Sequence, residues 1–145
     1  MKIETTRFGA VEMDEKKIIE MPYGMLGFQE RKRFVLFPHR EDSPFYWYQS
    51  VDDPSLAFVV TSPFLLFPDY RVDLKDAFKK MAWEDHGSET PFELYVVVNI
   101  PKGSPKKMTA NLMGPILINV CNNQAVQLVL ADSPYSHRFP LLKQN

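Results

Sequence analysis

Apolar and polar side chains alternate with a period of two along much of this chain. Between residues 92 and 100 the even positions Phe92, Leu94, Val96, Val98 and Ile100 form one apolar face, while Glu93, Tyr95 and Asn99 turn the other way. Leu56, Phe58 and Val60 repeat the pattern, followed by Ile116, Ile118 and Val120, then Val126, Leu128 and Leu130. Further strands are expected at 2–6, 17–21, 33–37 and 45–50. Short strands at this spacing, separated by turn residues, predict an all-β, mostly antiparallel fold: a small β-barrel, closed or partly open.

The punctuation agrees with local, hairpin-like connections. Asp14-Glu15-Lys16 separates two short strands near the start. Asn122-Asn123 lies between two alternating runs, and Asn tolerates the positive φ that tight hairpins require. In Asp52-Asp53-Pro54 the proline fixes its own φ and pushes Asp53 towards extended backbone. One helix is expected. Asp73 would cap it, and Leu74, Ala77, Phe78 and Met81 make an apolar stripe opposite Lys75, Asp76, Lys79 and Lys80. Such a helix would plug a barrel end or bind a partner, and the pattern stops by Trp83, before a polar loop. Residues 1–142 read as one domain and 143–145 as a frayed tail.

Composition narrows the function classes. The 145 residues are 45% hydrophobic and 24% charged, which excludes disordered and fibrous classes. Seventeen Lys+Arg against 18 Asp+Glu leave a net charge of −1, a poor fit to tight phosphate-backbone binding. The single cysteine, Cys121, forms no internal disulfide; it ends an apolar strand, where a buried or half-buried position is expected. The first residues carry no secretory signal and no apolar run is long enough to span a membrane, so a cytoplasmic protein is expected. His39, His86 and His137 are scattered without metal-ligand spacing, and G-x-S-x-G, Gly-rich phosphate-loop and H-E-x-x-H motifs are missing from the sequence. An enzyme is not expected, nor a cofactor, a metal or a small-molecule substrate.

Aromatic and apolar runs carry the candidate chemistry. In Phe45-Tyr46-Trp47-Tyr48 the rings fall on both faces of a strand, so either Phe45 and Trp47 or Tyr46 and Tyr48 are displayed. Displayed rings would stack on single-stranded RNA bases or anchor a protein. Pro63-Phe64-Leu65-Leu66-Phe67-Pro68 sets four large apolar side chains in a row between prolines, a loop or edge arrangement that one core cannot wholly absorb. The run either leaves an apolar protein-binding patch, with Asp69, Tyr70 and Arg71 as its polar rim, or is buried under the helix.

Several runs resemble one family. Phe8-Gly9, Pro22-Tyr23-Gly24-Met25-Leu26-Gly27-Phe28 and Phe34-Val35-Leu36 are similar to the opening of the flagellar assembly factor FliW family. The resemblance continues through Gln49-Ser50-Val51-Asp52-Asp53-Pro54, the 56–60 run and the 63–70 run. Its most specific block is Met108-Thr109-Ala110-Asn111-Leu112 with Pro115-Ile116-Leu117-Ile118-Asn119, and it closes on Asp132-Ser133, Tyr135-Ser136 and Arg138. Two departures are Gly114, where the family more often has Ala, and Phe139, where it often has His.

The resemblance implies a non-enzymatic cytoplasmic regulator on a small antiparallel barrel, with two alternative partners, flagellin and the RNA-binding translational regulator CsrA. Export of flagellin frees such a factor, which then captures CsrA away from its RNA groove and relieves repression of flagellin mRNA. On this reading Phe64, Leu65, Phe67, Asp69 and Tyr70 border a groove for an amphipathic flagellin helix. Asp52, Asp53, Asp69 and Glu84 are acidic candidates for basic CsrA. Asn111 and Asn119 would hold turns, and Arg138 with Asp132 pairs internally or meets a partner. The other reading is a small single-stranded RNA-binding barrel that uses Tyr46 and Tyr48.

Overall fold

The computed structural model describes residues 1–83, 91–131 and 133–142. Glu84, Asp85, His86, Asp132 and the 143–145 tail lie outside the described residues. The chain opens with a hairpin of β1 (Lys2–Thr5) and β2 (Gly9–Glu12), which among the described residues pair only with each other. There follow β3 (Ile19–Glu20), β4 (Arg33–Pro38), β5 (Phe45–Ser50) and β6 (Ala57–Thr61). Next come a single helical turn, α1 (Pro63–Leu66), and the helix α2 (Lys75–Met81). The second half adds β7 (Phe92–Asn99), β8 (Thr109–Ala110), β9 (Ile116–Asn119), β10 (Gln124–Gln127) and β11 (Phe139–Pro140).

Seven strands close the barrel in the order β7-β6-β5-β4-β3-β10-β9, and β9 returns to pair with β7, Leu94 opposite Leu117. The pairings are antiparallel except at the β3–β10 seam, a single parallel contact between Glu20 and Gln124. On its β9 side β7 also pairs with β8, and β8 in turn with β11. The β9–β10 hairpin turns where the Asn pair predicts it: Asn123 has φ 53° and Gln124 faces Asn119.

The barrel interior holds Ile19, Met21, Met25, Phe34, Tyr48, Val60, Ile116, Ile118 and Ala125. Tyr95 and Val97 of β7 pack against this interior. The even-numbered face of β7 therefore points outward, where Val96 joins Tyr70, Ala110 and Leu112 in a second core roofed by Leu66, Phe67, Tyr135, Phe139 and Leu141. A third cluster joins Ala77 and Trp83 to Leu117 and Val126, with Phe78 and Phe92 alongside. Leu117 and Val126 alternate with the inward Ile116, Ile118 and Ala125, so α2 covers the outer flank of the barrel rather than its end. The helix N-cap is Leu74, one residue later than expected and without a side-chain capping bond, while Asp73 Oδ1 just before it accepts the Lys75 N–H at 3.0 Å.

Two family-like motifs are tied together across the fold. Gly24 and Gly27 both adopt positive φ in the turns after Met21. The Leu26 N–H that follows donates to Gln127 Oε1 at 2.8 Å, and Gln127 Nε2 donates to the Gly114 carbonyl at 3.0 Å. A Cβ on Gly114 would come within 2.9 Å of Asn111 Nδ2 and 3.2 Å of Gln127 Nε2, so glycine fits here without moving either amide.

Candidate protein-interaction site

The apolar run 63–68 is neither loop nor edge strand. Ser62 Oγ accepts the Phe64 N–H at 3.3 Å and Pro63 takes the first helical position, the usual chemistry of a helix start. One helical turn then divides the four side chains. Phe64 and Leu65 stand in solvent, 46% and 63% exposed, whereas Leu66 and Phe67 pack onto the second core. The Phe67 ring meets Tyr135 and Phe139 edge-on at 5.5 and 6.2 Å. Beside the turn runs a groove of about 640 Å³ between Leu66, Thr109, Arg138, Phe139, Leu141 and Leu142. Its lining is largely apolar, and Arg138 contributes a cation. Residues 139–142 carried little sequence signal, because Phe139 and Leu141 alternate over too short a span to read as a strand.

Tyr70 is not part of a polar rim. It is 3% exposed, its hydroxyl donates to the Leu112 carbonyl at 2.5 Å, and its ring lies 4.5 Å from that of Tyr135. Burial pushes its phenol up, with Tyr135 adding to the shift, so it stays a neutral donor at physiological pH. Asp69 beside it is exposed and makes no ion pair among the described residues.

The acidic turn after β5 is tied down by its neighbours. Arg33 donates through Nε and Nη2 to both carboxylate oxygens of Asp52. Arg31 lies 3.6 Å from Asp53, whose Oδ1 accepts from both the N–H and the hydroxyl of Ser55. Two arginines thus balance two carboxylates, and the turn offers a basic partner much less than its sequence suggests. The bond from Arg33 holds the Asp52 carboxyl below the usual range, and Asp52 in turn raises Arg33. A carboxyl depressed by folding adds stability above its unfolded pKa of about 3.9 and loses it as pH falls through the folded value. The pair is exposed, so Asp52→Asn should cost under about 1 kcal/mol at pH 7, and variant and parent should converge in acid. Urea unfolding at the two pH values checks this.

Of the two arrangements open for the β5 rings, the structure takes the one with Tyr46 and Tyr48 inward. Tyr48 is 1% exposed and stacks on Phe34 at 4.6 Å, and Tyr46 meets Tyr95 edge-on at 5.6 Å within the interior cluster. Tyr48 is thus withdrawn from any partner surface, and neither ring is displayed as a base-stacking platform; Phe45 and Trp47 take the outer face. Asn111 and Asn119 hold turns, accepting from the Met113 and Cys121 N–H groups at 3.0 Å each. Cys121 is exposed rather than half-buried, because β9 ends at Asn119 and the thiol falls in the hairpin loop. Among the described residues no group of three or more His, Cys, Asp or Glu converges as a metal site, and no helix is long and apolar enough to cross a membrane.

The comparisons with known proteins agree with one another. The FliW protein family profile matches residues 2–141. The flagellar assembly factor FliW of Magnetococcus marinus is 42% identical over 147 residues, covering 98% of this chain and 85% of that protein. That of Syntrophus aciditrophicus is 43% identical over 143 residues, covering 99% and 89%. A crystal structure of the flagellar assembly factor FliW superposes with a TM-score of 0.86 at 35% identity, covering 99% of this chain and 98% of the other. With sequence, fold and length in agreement, this chain belongs to the FliW family of flagellar assembly factors.

Proposed function

We propose that this chain is a non-enzymatic cytoplasmic regulator that binds newly made flagellin and, once flagellin has been exported, binds CsrA and relieves its repression of flagellin mRNA. Family membership supports the flagellar role. The observation that carries the binding step is the pair Phe64 and Leu65, held in solvent by a capped helical turn beside a largely apolar groove. Burying two such side chains against a partner supplies the apolar centre of an interface, and the stripe of an amphipathic helix is its natural complement. Arg138 in the lining suits a carboxylate on the same segment.

Phe64→Asp combined with Leu65→Asp is expected to weaken flagellin binding at least 100-fold, as loss of an interface centre does. Leu65 points into solvent and Phe64 meets the core only at the edge of Tyr70, so circular dichroism should stay that of the parent and the unfolding midpoint should fall only modestly. Titration calorimetry with flagellin checks the binding. Unchanged affinity in a folded variant would discard the groove. Asp69, next to this patch, is the acidic residue assigned to CsrA, and Asp69→Lys should mainly slow CsrA association. The single-stranded RNA reading loses its main support with Tyr46 and Tyr48 inside the barrel. RNA affinity would fall steeply with salt, whereas an apolar interface would not.

A further inference from the structure

The outer side chains of β5 line a second surface, well away in sequence from the α1 groove. Phe45, Trp47 and Gln49 alternate with the inward tyrosines, and pair across to Thr61, Val59 and Ala57 of β6. Gln49 is fully buried. Its Nε2 faces four carbonyl oxygens: Ser50 at 3.0 Å, Leu56 at 3.1 Å, Pro54 at 3.3 Å and Asp53 at 3.4 Å. That ring of acceptors fixes the amide, because a flipped side chain would set oxygen against oxygen. Oε1 is buried and has no hydrogen-bond partner among the described residues. Gln49 forms part of the wall of a cavity of about 190 Å³, together with Thr6, Arg7, Pro54, Ser55 and Ala57.

From this cavity the surface continues over Arg7. The Arg7 guanidinium lies 4.4 Å from the Trp47 ring centroid, and no carboxylate pairs with it among the described residues. Phe8 meets Trp47 and Phe37 edge-on at 5.5 and 5.2 Å. Beyond Trp47 an apolar socket of about 90 Å³ opens between His39, Phe45, Val59 and Ile100. The Trp47 Nε1–H donates to His39 Nδ1 at 3.1 Å, which holds one wall in place. A polar cavity, an exposed cation with no carboxylate partner among the described residues and an apolar socket therefore follow one another along one strand.

We infer that this strip binds an extended segment of a partner protein that carries a carboxylate and, two residues further on, an aliphatic side chain. The carboxylate meets Arg7, and the aliphatic group fills the socket beside Ile100. Residues i and i+2 of an extended chain are roughly 7 Å apart, the same step that separates Trp47 from Gln49 or Phe45 along β5. A nucleic-acid base is a poorer occupant, because Arg7 already covers the Trp47 face and the chain has no surplus of positive charge. This strip is independent of the α1 groove and of the flagellin reading.

The test uses the full isotope-labelled chain and the blocked peptide N-acetyl-Asp-Thr-Leu-amide, with a matched peptide carrying Asn in place of Asp. The expected result is saturable NMR shifts at the Trp47 indole N–H, the Gln49 side-chain amide and the Ile100 methyls, with the Asn peptide at least tenfold weaker. Arg7→Glu should abolish the preference for Asp, and Ile100→Asn the preference for Leu. Both residues are exposed, so in the free variants only resonances of their immediate neighbours, Trp47 among them, should move. Absence of saturable shifts at about 10 mM peptide, above the range expected for so small a ligand, would overturn the inference. So would equal binding of the two peptides. Shifts at the same groups from oligouridylate, lost steeply with salt, would assign the strip to RNA instead.

Discussion

Replacing Tyr70 by alanine is expected to destabilise the protein by about 3–5 kcal/mol, the range for truncating a buried aromatic. The ring packs among Val96, Ala110 and Leu112, lies against Tyr135 and meets Phe64 edge-on at 6.1 Å. Its hydroxyl satisfies the Leu112 carbonyl, so the alanine variant leaves both a cavity and an unmet acceptor. Tyr70→Phe removes only the hydrogen bond and should cost about 1–2 kcal/mol. Against a total of about 5–15 kcal/mol for a domain, the alanine change consumes a large share. Urea unfolding checks both, as a lowered midpoint with little change in slope. The comparison separates fold from interface: Tyr70→Ala would weaken partner binding only by loosening the platform, whereas Phe64→Asp acts at the contact itself.

The second large effect is expected at Gly24. Its φ is +67°, and a Cβ there would lie 2.5 to 2.7 Å from the carbonyl oxygen, Cα and carbonyl carbon of Gln29. Those are backbone atoms, so no side-chain rotation relieves the clash. Gly24→Ala combines the left-handed penalty with a forced backbone shift, and a loss of roughly 3 kcal/mol or more is expected. Gly27 provides the control. Its φ is +84° but a Cβ would meet nothing within 4 Å among the described residues, so Gly27→Ala should cost only about 1–2 kcal/mol. Thermal unfolding of the two variants side by side checks the difference. Equal losses would mean that the turn simply shifts to accommodate Gly24→Ala.

Strands with strong alternation were legible in the sequence, and β5 matches its expected 45–50 bounds. What escaped was short or two-sided. β8 and β11 are two residues each, and β11 contains Pro140; both exist because a neighbouring strand supplies the partner, which no local pattern encodes. β7 alternates clearly, yet its more apolar face lies outside the barrel because a second core covers it. At β5 every position from 45 to 48 is aromatic, so period two could not say which pair faces in. The patch at Phe64 and Leu65 was legible as an apolar run between prolines. The helical turn that presents it was missed in favour of a loop or edge, although Ser62-Pro63 carries the chemistry of a helix start. Tyr70 was not, because a tyrosine between Asp69 and Arg71 looks like a rim until Leu112 is brought to its hydroxyl. The acidic turn misled for a similar reason, its arginines coming from β4 and the segment just before it.

The most direct test of the regulatory account is a competition titration by calorimetry, with the chain first saturated by CsrA and then titrated with flagellin from the same organism. The account predicts that flagellin displaces CsrA, with an apparent affinity that falls as CsrA is raised. Failure of the folded chain to bind either protein, or flagellin and CsrA bound together without affecting one another, would contradict it.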